Sequence, residues 1–329
     1  MRQVAERARV SGATVSRILN DVDVSVAPET RLRVRRIASE MGYQPNRAAR
    51  ALATGRTQTL AVWAINLRSP YYSRVINLMR EEIIRHEYDL MISGAQFSAD
   101  NAPATSKLVS WPVDGIIALD LPRGASPGME ESLLWGKPIV TMGAYATEGA
   151  DCVYVDFLER AVEAVRHLAS VGCQRIAYLV PDWFEWFREI GDARLCGYET
   201  AIARMGREPE YIITTRESRQ DVAPVLQGYI ERQGCPDGLF CFNDDMAIGA
   251  FRALRDMGLR VPEDVALVGC DGIEETAYTD PRLSTIVQPL EEMCAMAWIF
   301  LERRIKDHTI PLQQMTLQPR LEIRQSSRG

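Results

Sequence analysis

The sequence predicts an N-terminal all-α helix-turn-helix headpiece followed by an α/β body of two successive lobes built on parallel sheets. Three observations predict it. The first 56 of 329 residues hold eleven arginines and no lysine against five acids, a net +6, whereas the remainder carries 27 bases against 39 acids, a net −12. Short apolar stripes at helical spacing fill the basic part, and β-rich runs alternate with helical patterns through the acidic part. A basic head on an acidic body suggests a polyanion-binding module joined to something else. Affinity for phosphate comes from locally released counterions, so an overall charge of −6 does not argue against nucleic acid.

In the head, residues 2–9 (RQVAERAR) place Val4, Ala5 and Ala8 on one helical face. A VSG turn at 10–12 and a second helix from about Ala13, with Val15, Ile18 and Leu19 inward, give helix-turn-helix spacing. Pro28 suits the first turn of a third helix, because its missing N–H costs nothing there. Leu32, Val34, Ile37, Ala38 and Met41 supply that helix with an apolar face, and Gly42 stops it. The second helix turns Gly12, Ala13, Ser16 and Arg17 outward, with Thr14 and Asn20 alongside. Small groups permit close approach, hydroxyls and amides suit phosphates, and an arginine forks two hydrogen bonds to a base edge, so this is a groove-reading surface.

From Thr59 onward, TLAVWAI (59–65), DLMISGA (89–95), DGIIALDL (114–121), PIVTMGA (138–144) and VYVDF (153–157) read as strands. After a helix at about 158–170 the rhythm repeats with RIAYLV (175–180), YIITT (211–215), GLFCFN (238–243) and VALVGCD (265–271). Alternation of this kind is βαβ and implies parallel sheets with helices on both faces. Ligands of open parallel sheets sit beyond the carboxyl ends of strands, and two facing lobes put such ends across a cleft. A hinged ligand trap is the expectation.

Several classes are disfavoured. No apolar run approaches the roughly 20 residues of a membrane span, and the N-terminus lacks the apolar core of a signal peptide, so a cytosolic protein without a membrane partner is expected. Seven cysteines (152, 173, 196, 235, 241, 270 and 294) are scattered and never form a CxxC pair, which fits reduced thiols. The three histidines, His86, His167 and His308, lie far apart, so neither a metal site nor a catalytic triad is expected. No GxGxxG, Walker A or GxSxG follows a strand; an enzyme is disfavoured and no cofactor is expected.

VSGATVSRILN (10–20) and APETRLRVRRIASEMGYQPNRAARALATGRT (27–57) together resemble the DNA-binding head and hinge of the LacI-type (lactose/purine-repressor) bacterial transcriptional regulators. ARLCGY (193–198), DGLFCFNDDMAIGAFRALRDMGLRVPEDVALVGCDG (237–272) and DPRLSTIVQP (280–289) resemble the core of the same family, so the likeness covers nearly the whole chain. It implies that Gly12, Ala13 and Arg17 face base edges and that Ser11, Thr14, Ser16, Asn20, Tyr43 and Asn46 hold the DNA backbone. The segment 46–53 would fold as a hinge helix on DNA, with Leu52 as a minor-groove wedge beside Ala49 and Ala53. The implied domains are a headpiece at 1–45, a hinge at 46–56 and a periplasmic-binding-protein-like effector domain at 57–329. Its Rossmann-like lobes would comprise 57–157 with 288–318, and 158–287 with 319–329.

The same resemblance places effector residues at Tyr71 and Tyr72 in the first lobe and at Trp183, Arg188, Arg194, Asn243 and Asp271 in the second, with Asp244 expected as a helix N-cap. DWFEWFRE (182–189) puts four aromatics on the loop that lines the cleft in relatives, and aromatic faces stack on sugar rings or bases. The implied effector is a sugar or sugar acid, with a purine-like ring as runner-up. The implied function is a transcriptional repressor that binds a palindromic double-stranded DNA operator as a homodimer under effector control. A two-lobed sugar-binding protein or a carbohydrate enzyme without a DNA role are the alternatives, opposed by residues 1–56 and by the missing catalytic patterns.

Three departures from the family pattern stand out. The chain opens almost inside its first helix without a capping Ser or Thr, consistent with a misassigned start codon. Ala27 stands where relatives carry a capping serine. LEIRQSSRG after Arg320 has no leucine heptad, so the tetramerising coil of some relatives is not expected.

Overall fold

The structure is a computed structural model and describes residues 1–19, 26–43, 51, 54–64, 66–94, 112–121, 137–216 and 218–328. By chain contacts it divides into a unit comprising Met1–Thr59 with Pro112–Asp114 and a second comprising Leu60–Trp111 with Gly115–Gly329.

Within the first unit, helices α1 (Arg2–Ala8), α2 (Gly12–Leu19) and α3 (Pro28–Glu40) surround one small core. That core is Val4, Ala5, Ala8, Val15, Ile18, Val34, Ile37 and Ala38, with Leu19, Met41 and Tyr43 packed at its edge. Arg9 in the left-handed region ends α1, and Pro28 opens α3 behind Ala27, which makes no side-chain cap. Leu32 corrects one expectation: it is 69% exposed. Val34, Ile37, Ala38 and Met41 follow the i, i+3, i+4, i+7 stripe, whereas Leu32 lies two residues before Val34 and so roughly 200° round the helix.

Among the described residues the second unit holds two six-stranded sheets. The first contains β1 (Thr59–Ala64), β2 (Asp89–Gly94), β3 (Gly115–Leu119), β4 (Ile139–Gly143), β5 (Asp151–Val155) and β11 (Gln314–Leu317), in the order β11-β5-β4-β3-β1-β2. The second contains β6 (Ile176–Pro181), β7 (Glu210–Thr214), β8 (Gly238–Cys241), β9 (Ala266–Asp271), β10 (Ser284–Val287) and β12 (Arg320–Glu322), in the order β12-β10-β9-β8-β6-β7. The β10–β12 pair is antiparallel, while β9 pairs in parallel with β8 and β10, and β3 in parallel with β1 and β4. The chain therefore passes between sheets after β5, after β10 and after β11. Central strands such as β3, β4, β6 and β9 are buried along their whole length, as strands covered on both faces must be.

Helix pairs flank the sheets: α4 (Pro70–Arg85) with α10 (Leu290–Lys306), α5 (Leu158–Ser170) with α7 (Ala193–Arg204), and α8 (Arg219–Gln233) with α9 (Asp244–Asp256). Gly197 lets α5 and α7 meet closely, since a Cβ there would lie 2.5 Å from that of Ala161. Residues 182–189, expected as a loop, include a short helix instead, α6 (Phe184–Ile190), because Phe184 and Phe187 fall on one side and sink into the core. All seven cysteines are free thiols. Among the described residues no helix is long and apolar enough to cross a membrane.

Candidate DNA-reading face and interlobe effector site

On α2 the structure exposes Ser11, Gly12, Ala13 and Arg17 and half-buries Thr14 and Ser16. Ser11 caps the helix: its Oγ accepts the Thr14 N–H at 3.1 Å and lies 2.8 Å from the Thr14 hydroxyl. The small Gly12 and Ala13 leave the N-terminal end of α2 open to close approach, and nothing lies within 4 Å of where a Cβ on Gly12 would sit. Tyr43 packs against the head's core. Asn20, Asn46, Ala49, Leu52 and Ala53 lie outside the described residues.

In the second unit, carboxyl ends of strands from both sheets contribute buried polar groups. Asp271 ends β9 and is 8% exposed. Its φ of 117° is unusual for any residue with a side chain and implies a local cost of about 1–3 kcal/mol that the surroundings must offset. Asp244 supplies that support: its Oδ2 accepts the N–H groups of Gly272 and Ile273 at 2.7 and 2.9 Å, and its Oδ1 accepts the Thr285 hydroxyl at 2.6 Å. Burial pushes the Asp244 carboxyl up to about 7 despite these bonds. Burial also lifts Asp271 well above the ordinary carboxylate range; Asp244 adds to this and Arg194 opposes it.

A hydrogen-bonded chain links Asp271 to α4. Gln288, in the crossover after β10, donates through Nε2 to Asp271 Oδ1 at 3.0 Å and accepts the Tyr71 hydroxyl at 3.3 Å. Tyr71 and Tyr72 are both buried, with rings edge to face at 5.0 Å. The Tyr72 hydroxyl bonds Asp120, which follows β3. Asp120 also accepts the Ala144 N–H at 2.7 Å.

Arg194 is 5% exposed near the start of α7. Its guanidinium pairs with Asp192 at 2.8 Å, donates to the Tyr145 hydroxyl at 3.0 Å and lies 3.8 Å from the centre of the Phe242 ring. Burial opposes this charge, but Asp192 and Tyr145 hold the group ionised. Tyr145 follows a strand of the first sheet, while Asp192 and Arg194 stand beside the second, so this cluster bridges the two sheets.

The other expected effector residues are placed differently. Asn243 is buried and caps α9, its Oδ1 accepting the Met246 N–H at 2.8 Å. The cap expected at Asp244 is therefore one residue earlier, because Asp244 already lies within the first helical turn and is spent on the loop after Asp271. Arg188 is half exposed, pairs with Glu199 at 3.1 Å and stacks over Phe184 at 4.6 Å, a setting that does not include Arg194 or Asp271. Trp183 is 39% exposed and tilts against Phe187, whereas Trp186 meets Tyr145 edge-on at 6.1 Å. Sequence reasoning passed over Asp120, Tyr145, Asp192 and Gln288. For Asp120 and Tyr145 a signal existed, since both directly follow apolar strand runs, where ligands of parallel sheets sit.

A three-helix head with an exposed, small-residue recognition helix, and a two-sheet body with buried polar groups at facing strand ends, define a regulator that couples a DNA-reading module to a ligand-sensing one. Residues 1–46 match bacterial regulatory proteins of the lacI family, and residues 165–327 match a periplasmic binding protein-like domain. The chain is 30% identical over 336 residues to the HTH-type transcriptional repressor CytR of Escherichia coli, covering 100% of this chain and 96% of that protein. It is 27% identical over 330 residues to the ribose operon repressor of Haemophilus influenzae, covering 99% and 98%. Its structure resembles that of the transcriptional regulator CelR in complex with cellobiose, with a TM-score of 0.69 and 27% identity over 98% of each chain. The chain belongs to the LacI family and is a DNA-binding transcriptional regulator.

Proposed function

We propose that this regulator is a repressor that binds a palindromic operator as a homodimer and changes its hold on DNA when a sugar-like effector occupies the space between the two sheets. The observation that carries the reading is the chain Tyr71–Gln288–Asp271, which joins both lobes through buried hydrogen bonds and ends on a buried acid whose backbone is strained. Such groups lie ready to exchange bonds with ligand hydroxyls. The names of two relatives, a ribose operon repressor and a cellobiose complex, support a sugar as the ligand class.

In this reading the headpiece is 1–45, the hinge 46–56 and the effector domain 57–329. Gly12, Ala13 and Arg17 read bases; Ser11, Thr14, Ser16, Asn20, Tyr43 and Asn46 hold the backbone. Leu52, with Ala49 and Ala53, enters the minor groove, and the paired leucines of two subunits kink a central step. Tyr71, Tyr72, Arg194 and Asp271 line the effector site. Asn243 supports it through α9, while Arg188 and Trp183 join only if the lobes rearrange around ligand. Effector acts by its difference in affinity for two lobe arrangements, which is the whole of the coupling.

Sequencing the DNA that purified protein selects from a random pool tests the reading. An inverted repeat is the expected result; enrichment of no sequence, or of an unpaired half-site alone, contradicts it.

A further inference from the structure

We propose that Asp120 is the first-lobe half of a two-carboxylate clasp, completed by Asp271, that selects a neutral or amino-bearing sugar and turns away sugar acids and phosphorylated sugars. The proposal rests on the reading of the interlobe space as a sugar site and specifies which sugars it takes.

Asp120 is built into its position. It follows β3 with φ at 49° and is only 7% exposed. The neighbouring strand β4 ends on Gly143, where a Cβ would lie 2.1 Å from Asp120 Oδ1 and 2.6 Å from its Cγ. Any side chain at 143 would displace the carboxylate, so Gly143 creates the space that Asp120 fills. The Ala144 N–H, at 2.7 Å, and the Tyr72 hydroxyl then fix its orientation. Consecutive tyrosines on α4 thus address one acid each: Tyr72 directly reaches Asp120, and Tyr71 reaches Asp271 through Gln288.

Charge decides the ligand class. The buried cation of the cluster, Arg194, is already matched by Asp192 at 2.8 Å. Among the described residues neither Asp120 nor Asp271 has an ion-pair partner. Burial raises both carboxyls above their usual range; Asp120 raises Asp271 further as a like charge, Asp192 does the same to Asp120, and Arg194 opposes the shift at both. Such an acid donates to a hydroxyl when protonated; when ionised it accepts from hydroxyls, attracts an ammonium and repels an anion, and an ammonium beside it favours the ionised form. A ligand carboxylate or phosphate instead meets two acids where little water screens them. Arg194 offers it no unmatched charge.

The test is isothermal titration of the full-length protein with matched sets: D-glucose, D-glucosamine, D-glucuronate and glucose 6-phosphate, the galactose equivalents, and ribose with ribose 5-phosphate. Binding is expected only from neutral or amino members. Asp120→Asn should weaken the best hit by about tenfold or more and narrow its advantage over the matching acid, with Asp120→Ser carrying the comparison if the amide variant does not fold. A sugar acid or phosphosugar binding more tightly than its neutral parent in the wild-type protein overturns the proposal without recourse to any variant. A hit lost in Asp271→Ala but unchanged in Asp120→Asn overturns the role of Asp120 and leaves the cleft reading standing. Absence of binding across all sets, or a hit unmoved by both Asp271→Ala and Arg194→Ala, overturns the cleft reading and this proposal with it.

Discussion

In the headpiece the residues proposed to meet DNA, Gly12, Ala13 and Arg17, are on the outside, and among the described residues eight buried apolar side chains form the interior. In the effector domain the polar groups proposed to meet a ligand, Asp120, Arg194 and Asp271, are 5 to 8% exposed. The head can therefore change what it reads without disturbing what holds it together. The effector site cannot, because its polar groups are also part of the interior, and each depends on a partner to offset its lost hydration. Specificity and stability are separable in one region and fused in the other.

Substitutions can break that comparison. The largest effect is expected from Arg194→Ala, which strands Asp192, 2% exposed, without its cation; unfolding of the body should become easier by about 3–5 kcal/mol in urea titration. Next comes the pH dependence of Asp244. Its carboxyl titrates near 7 when folded against 3.8 normally, so the folded state holds the extra proton between these values and loses stability as pH rises through them. Relative to Asp244→Asn, the wild-type protein should be most favoured near pH 4 and progressively less so towards pH 7; urea midpoints of both proteins across this range check the sign. Arg17→Ala is expected to move stability least, within about 0.5 kcal/mol, while reducing discrimination between operator and a changed base pair by roughly 5- to 150-fold. A large stability loss at Arg17, or none at Arg194, would erase the distinction.

The two regions also differed in how far the sequence could be read. Parallel central strands announce themselves as apolar runs, so β1 to β9 fall within a residue or two of their expected places. The short β10, β11 and β12 do not, since their pairing is fixed by three crossovers between sheets rather than by local pattern. Leu32 departs from expectation because the helical period admits only Val34, Ile37, Ala38 and Met41 on one face. Arg194, Asp271 and the two tyrosines, proposed for the effector site through family likeness, are all buried. Asp120 was legible only as an acid at the end of an apolar run: what fixes it in place is Gly143 on β4, a relation that spans 23 residues of sequence but a single step across the sheet. The swap between Asn243 and Asp244 has a similar origin, because adjacent residues with the same capping chemistry are told apart only by which one faces the loop after β9.

The central claim, that an acidic sensor governs a basic reader, is tested most directly by fluorescence anisotropy of the selected palindromic DNA, titrated with full-length protein with and without a saturating sugar hit. The account predicts a shift in DNA affinity of roughly 5- to 150-fold, in either direction, that disappears in Asp271→Ala. Saturating sugar binding that leaves the wild-type DNA affinity unchanged would contradict it.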